Sequence, residues 1–337
     1  MIFGNVELHN VAELIPTEHG YRMSRVPQAV RAAMEDRSER AFHNCGVEVR
    51  FRIRSGEADV VLYSEPAAEH IPAAIYYGAF QGGWEYSVKR ITPGECRIHI
   101  RPTPNLAALQ RITREENLPF NPELVRLMLP CNIAEFVRVE GDVEPPHPGD
   151  APALTYLSYG SSITHGSLAL GAPHVYGSMI ARSLNADHIN LGFAGSACME
   201  EEMAAYVCAR KDWSFASVEM GVNMLGADPE VFRRRVRAFV DRLAEDGRPV
   251  FATNMFVTNY NEPERDERFR RIVREETAGK LIFTDGLELM GNHAFISEDL
   301  VHPSVEGHVQ IAQRWSGIMK GYLEKAGNVF IPSPAAK

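Results

Sequence analysis

The sequence predicts two domains of different class: an antiparallel β-sandwich, jelly-roll-like, over residues 1–144 and a parallel α/β domain over residues 151–337. Three observations predict this division. Apolar and charged residues alternate with a period of two in the first part. Residues 145–150 read Pro-Pro-His-Pro-Gly-Asp, which sustains neither a helix nor a central strand and serves as a linker. Beyond it, short apolar strands alternate with helical stretches, the pattern of a parallel sheet covered by helices.

A helix is expected near Val26–Phe42. Residues 47–54 (VEVRFRIR) alternate strictly, which places Val47, Val49, Phe51 and Ile53 on a buried face and the charges in water. Residues 96–101 repeat the pattern, and residues 59–64, 75–80 and 134–143 are further strands. In the second part the strands are LTYLS (154–158), HINLGF (188–193), FASVEMGV (215–222), PVFATNMFV (249–257) and KLIFTDG (280–286). Asp228-Pro229 is an N-cap followed by proline at the first helical position, with Phe232, Val236, Phe239, Val240 and Leu243 on one face. A closing helix carries Ile311, Trp315, Ile318, Met319 and Tyr322.

Composition narrows the function. The 337 residues are 45% hydrophobic and 23% charged, with a net charge of −9 and a pI near 5.8. An acidic chain lacks the concentrated basic face that phosphate binding needs, so nucleic acid is not an expected partner. The run Arg233-Arg234-Arg235 with Arg237 reads as a solvated helix face. No apolar run spans a bilayer and no secretory leader is evident, so the expected setting is the cytoplasm. Five cysteines without a CxxC pair fit reduced, buried thiols, and the twelve histidines show no H-E-x-x-H spacing. No metal or cofactor is expected.

The loop YGSSITHG (159–166) leaves the first strand of the parallel part. Serine clusters there are usually plain connections, yet in parallel sheets the working loops leave the carboxyl ends of strands. Nucleophilic serine chemistry needs a base, an acid that orients it, and donors for an oxyanion. Asp299-Leu300-Val301-His302-Pro303 offers an acid and a base three residues apart, able to face one another across a turn. Pro303 drives His302 out of the α region, onto a loop before the closing helix. His165 is nearer in sequence, but a base three residues from its serine has no easy way to be oriented by an acid as well; it reads as a rim or helix-entry residue. Donors are available from the glycines of 192–196, after the second strand, and from the amide of Asn223, after the third. Read singly, each motif also fits a surface loop, a turn glycine or a cap.

The order of these motifs resembles the SGNH hydrolases, the GDSL-type esterase and lipase superfamily. YGSSITHG, NLGFAGSACMEE (190–201) and MGVN (220–223) together resemble a bacterial subgroup with an N-terminal β-sandwich domain. The resemblance implies a three-layer α/β/α, flavodoxin-like fold and ester hydrolysis through a Ser-His-Asp triad. It places Ser162 at the nucleophile, His302 at the base, Asp299 at the acid, and the Ser162 amide, Gly195 and Asn223 in the oxyanion hole. Two positions depart from the family: Ser161 and Met224 stand where it has aspartates, which puts the support of both loops in question. The nucleophile loop is not a G-x-S-x-G elbow, because residue 164 is threonine.

The expected activity is that of a serine esterase acting on short-chain, acetyl-type esters, including those of carbohydrates. The alternatives are an acyltransferase using the same acyl-enzyme and a non-catalytic carbohydrate-binding protein. The expected partner is a small ester such as an acylated sugar, with no membrane, and a homo-oligomer is left open. Trp84, Tyr76 and Tyr77 are candidate sugar contacts of the first domain, although aromatic residues in strands are more often core.

Overall fold

The computed structural model describes residues 1–65, 72–84, 87–259 and 262–327. The N-terminal part is an antiparallel assembly organised around one long strand, Glu48–Ser64. That strand pairs with Val6–His9, Leu124–Met128, Gly94–Ile100 and Glu135–Glu144. The segments 47–54 and 59–64, expected as separate strands, are therefore one element. Gly56 and Gly141 both adopt positive φ, and the register slips between Glu140 and Asp142, so the chain bends through a bulge instead of reversing. Val49, Phe51, Val60, Leu62, Ile75, Ile98, Leu127 and Phe136 close one core.

The charged residues of 47–54 are not all in water. Glu48 and Arg50 are 3% and 1% exposed, because the outer face at this end of the strand lies against the second domain. Arg50 makes a bidentate pair with Asp187 (2.7 and 2.6 Å) and donates to Glu48 (2.8 Å). Arg126 completes the chain through two bonds to Glu48 (2.8 and 2.6 Å). Period-two alternation identified the two faces but could not show that both would be covered.

The C-terminal part is a five-stranded parallel sheet. Its strands run Asp187–Gly192, Thr155–Gly160, Phe215–Glu219, Val250–Thr253 and Ile282–Thr284 across the sheet, the order 2-1-3-4-5 by sequence. This is the flavodoxin-like arrangement. Helices Glu201–Ala209, Pro229–Ala244 and Pro263–Thr277 contribute buried residues to the core on one side. Helices Tyr176–Ser183 and Val305–Lys325 contribute to the core on the other. Asp228 caps its helix as expected, accepting from the amides of Glu230 and Val231. The closing helix buries Ile311, Trp315 and Met319, whereas Ile318 and Tyr322 are exposed.

The helix expected over 26–42 forms as a short α-helix, Gln28–Ala33, and a 3-10 segment, Glu35–Phe42. It serves the other domain: Val26, Val30, Met34 and Ala41 pack into the core beneath the parallel sheet, with Leu191, Phe193 and Met203. The proline-rich stretch is also tied down. Asp150, buried at its end, accepts from the His147 amide (2.7 Å), Arg52 (2.8 Å) and Asn121 (3.0 Å). Tyr76 and Tyr77 are buried and Trp84 is exposed.

Candidate active site

The strand Thr155–Gly160 ends at a glycine because nothing larger fits: a Cβ there would lie 2.2 Å from Thr164 Oγ1 and 2.7 Å from Glu219 Oε2. Ser161 caps the next turn, its hydroxyl accepting from the Ile163 amide (3.1 Å). Ser162 is then the first residue of the one-turn helix Ser162–His165, which ends in left-handed Gly166. The helix lies against Gly192, where a Cβ would approach the His165 amide to 2.1 Å.

Ser162, His302 and Asp299 form one hydrogen-bonded chain across 140 residues of sequence. His302 Nε2 is 2.7 Å from Ser162 Oγ, and His302 Nδ1 is 2.6 Å from Asp299 Oδ2. The second carboxylate oxygen of Asp299 accepts from the Ser297 hydroxyl (2.6 Å) and from the amides of Val301 and His302 (both 2.9 Å). Partial burial pushes the Asp299 carboxyl up. The Ser297, His302 and Val301 donors outweigh this and hold it well below the ordinary carboxylate range. Leu300, between acid and base, takes a left-handed conformation (φ +66°) that turns the chain tightly enough for the two side chains to meet.

Gly195 (φ +70°) and Asn223 share with Ser162 and His302 the lining of a cavity of about 670 Å³. The Asn223 amide donates to the Phe193 carbonyl (3.2 Å), and the Gly195 carbonyl accepts from Arg37. Gly221, at φ +126°, turns the backbone from the third strand into the Asn223 loop. A second, larger cavity of about 970 Å³ adjoins at His302 and is walled by residues of the first part, among them Arg22, Arg40, His43, Tyr63 and Glu135. Arg40 lines both cavities. Trp84, Tyr76 and Tyr77 line neither.

His165 is buried in the wall of the larger cavity. Its Nδ1 faces the Gly192 carbonyl (3.3 Å), and burial, with Arg25 and His43 nearby, holds the imidazole neutral. His308 is likewise buried and neutral, its Nε2 donating to the Ser167 carbonyl (3.0 Å).

The Ser161 loop rests on Glu219. This fully buried carboxylate, at the end of the third strand, accepts from the Ser161 amide (2.8 Å) and contacts Thr164 Oγ1 (3.4 Å). Thr164 Oγ1 in turn bonds the Tyr176 hydroxyl (2.6 Å). Burial raises the Glu219 pKa against the opposing bonds from Ser161 and Thr164. Glu219 thus lies as a carboxylate beneath the loop that carries Ser161. The available signal was one charged residue at the end of the short strand FASVE. Met224, at the other departure, is buried in the core.

Residues 158–310 match the GDSL-like lipase/acylhydrolase family. No curated protein sequence matches the chain. Among solved structures, the salicylyl-acyltransferase SsfX3 from a tetracycline biosynthetic pathway is similar over 97% of this chain and 96% of its own, with TM-score 0.73 and 15% identity. A Bacteroides ovatus protein assigned as a GDSL-like lipase is similar over 97% and 99%, with TM-score 0.67 and 17% identity. A family two carbohydrate esterase from Clostridium thermocellum, solved with cellohexaose, is similar over 82% and 92%, with TM-score 0.56 and 14% identity. At such identities the likeness is one of fold.

Proposed function

The chain carries a GDSL-like lipase/acylhydrolase domain, and on that premise we propose that it is a serine esterase in which Ser162, His302 and Asp299 form the catalytic triad. The carrying observation is the chain of bonds itself, with His302 placed 2.7 Å from the serine hydroxyl and 2.6 Å from its orienting carboxylate. His302 Nε2 takes the Ser162 proton as Oγ attacks the ester carbonyl carbon. The tetrahedral oxyanion is held by the amides of Ser162 and Gly195 and by the Asn223 side chain, each such donor being typically worth about 10²–10³ in rate. His302 then gives its proton to the leaving alcohol, and water releases the acyl group by the same steps in reverse.

The substrate class is a short acyl ester of a polar alcohol, acetylated sugars included. The carbohydrate-esterase neighbours favour this reading, as does the polar wall of Arg22, Arg40, His43 and Glu135 around the larger cavity. A second reading, transfer of the acyl group to an alcohol acceptor, is favoured by the size of that cavity and by the fold shared with an acyltransferase. Product analysis with and without a sugar or polyol separates the two. The triad is tested with p-nitrophenyl acetate: Ser162→Ala should lose at least about 10³-fold in kcat while Ser161→Ala stays active. A Ser162→Ala protein with more than a few per cent of wild-type activity, alongside an inactive Ser161→Ala, would overturn the assignment.

A further inference from the structure

Behind the catalytic cavity lies a cluster that the proposed reaction does not use. Cys45 precedes the long strand of the first part, Cys131 lies between Leu124–Met128 and Glu135–Glu144, and His165 ends the Ser162 helix. Each offers one ligand atom, and the three atoms all lie within 4.8 Å of one another. Cys131 and His165 line the larger cavity, while Cys45 is fully buried behind them. We propose that Cys45, Cys131 and His165 bind a thiophilic divalent cation such as Zn²⁺, as a Cys₂His set whose fourth position opens toward the catalytic cavity.

The spacing suits such an ion. Tetrahedral bonds of about 2.3 Å to sulfur and about 2.0 Å to nitrogen place ligand atoms roughly 3.5–3.8 Å apart, within the separation found here. The imidazole is anchored by its Nδ1, which lies 3.3 Å from the Gly192 carbonyl; donating there, it would leave the ring lone pair on Nε2. Histidines that bind metal commonly anchor the other ring nitrogen to a carbonyl in this way, which fixes the tautomer and the ring plane.

The Cys45 thiol is fully buried behind Cys131. The Cys131 thiol donates to the His165 carbonyl at 2.9 Å. Binding exchanges these S–H bonds for metal–sulfur bonds: M²⁺ + 2 RSH → M(SR)₂ + 2 H⁺, with both protons leaving through the cavity. The product carries no net charge, so burial does not oppose it as it opposes a lone thiolate. Arg25, fully buried nearby, is held by its bonds to the carbonyls of His43, Asn190 and Arg40. Because two ligands come from the first part and one from the second, the ion would join the domains directly beside the nucleophile.

The test uses the full-length, reduced, chelator-treated protein titrated with Co²⁺. Thiolate-to-cobalt charge-transfer absorption, saturating at about one equivalent and removed by Zn²⁺, is expected. Cys131→Ala, at a partly exposed site, should abolish the band, and Cys208→Ala, outside the cluster with its thiol on the Arg242 carbonyl, should retain it. Absence of the band in the wild type, its persistence in Cys131→Ala, or its loss in Cys208→Ala would each overturn the proposal.

Discussion

Replacing Asp299 by asparagine tests the site most sharply, because the structure dictates how the new side chain must sit. One carboxylate oxygen accepts three hydrogen bonds, from Ser297, Val301 and His302, and the other accepts from His302 Nδ1. Only the amide oxygen can serve the three donors, so the NH₂ group turns toward the imidazole. Nδ1 must then accept, the ring proton moves to Nε2, and Nε2 can no longer take the proton of Ser162, 2.7 Å away. A carboxylate-to-amide change of this kind in a Ser-His-Asp triad lowers kcat by about 10⁴, roughly 5 kcal/mol of barrier. Stability should change little, because the Asp299 side chain is 38% exposed and solvent screens its charge. The assay is kcat on p-nitrophenyl acetate at neutral pH, with the rate of fluorophosphonate labelling of Ser162 and a circular dichroism check of the fold. Activity within tenfold of wild type in a folded Asp299→Asn protein would refute the role of Asp299 as orienting acid.

Glu219→Ala should lower kcat by about 10² with KM little changed, since it leaves the Ser161 amide without its acceptor and lets the nucleophile loop shift; Glu219→Gln should stay within about tenfold, and equal losses in both would argue for a different role. Asp187→Asn should cost about 3–5 kcal/mol in urea unfolding, because it breaks the bidentate pair of an arginine that is 1% exposed. Acid should act on the same network. Burial raises the Glu48 carboxyl, but Arg126 and Arg50 bring it down to about 2. Its contribution is therefore complete above the unfolded value of about 4.3 and is lost as pH falls toward 2. The thermal midpoint should hold from neutrality to about pH 5 and drop steeply below about pH 4; a midpoint unchanged at pH 3 would contradict this.

Much of the site was legible through the order of its motifs and their resemblance to a known family, since each motif alone also fits a loop, a turn or a cap. Asp299 and His302 lie on one turn closed by Pro303, and Ser162 and Asn223 lie in short helical turns after strands that alternate with helices. What escaped was whatever depends on packing between distant segments. Glu48 and Arg50 read as solvated charges because alternation shows two faces, not what covers the second. The strand 48–64 read as two because Ser55-Gly56 resembles a turn, and only pairing with the bulged partner at Gly141 shows a bend. Glu219 passed as an ordinary strand residue because its partners, Ser161 and Thr164, lie 58 and 55 residues earlier. Ile318 and Tyr322 fit the helical period but fall at the edge of the buried stripe.

The segment 26–41 makes the two domains inseparable as modules. It belongs to the first part by sequence, yet Val26, Val30, Met34 and Ala41 fill the core of the second, Arg37 donates to the Gly195 carbonyl, and Arg40 lines the candidate site's cavity. A protein cut at residue 150 would leave the catalytic half with an open trough in its core and no wall on one side of its cleft. Grafting this catalytic half onto another accessory domain would fail for the same reason unless the segment travelled with it. Heating should accordingly melt both cores in one cooperative step, as though the boundary drawn by the prolines did not exist.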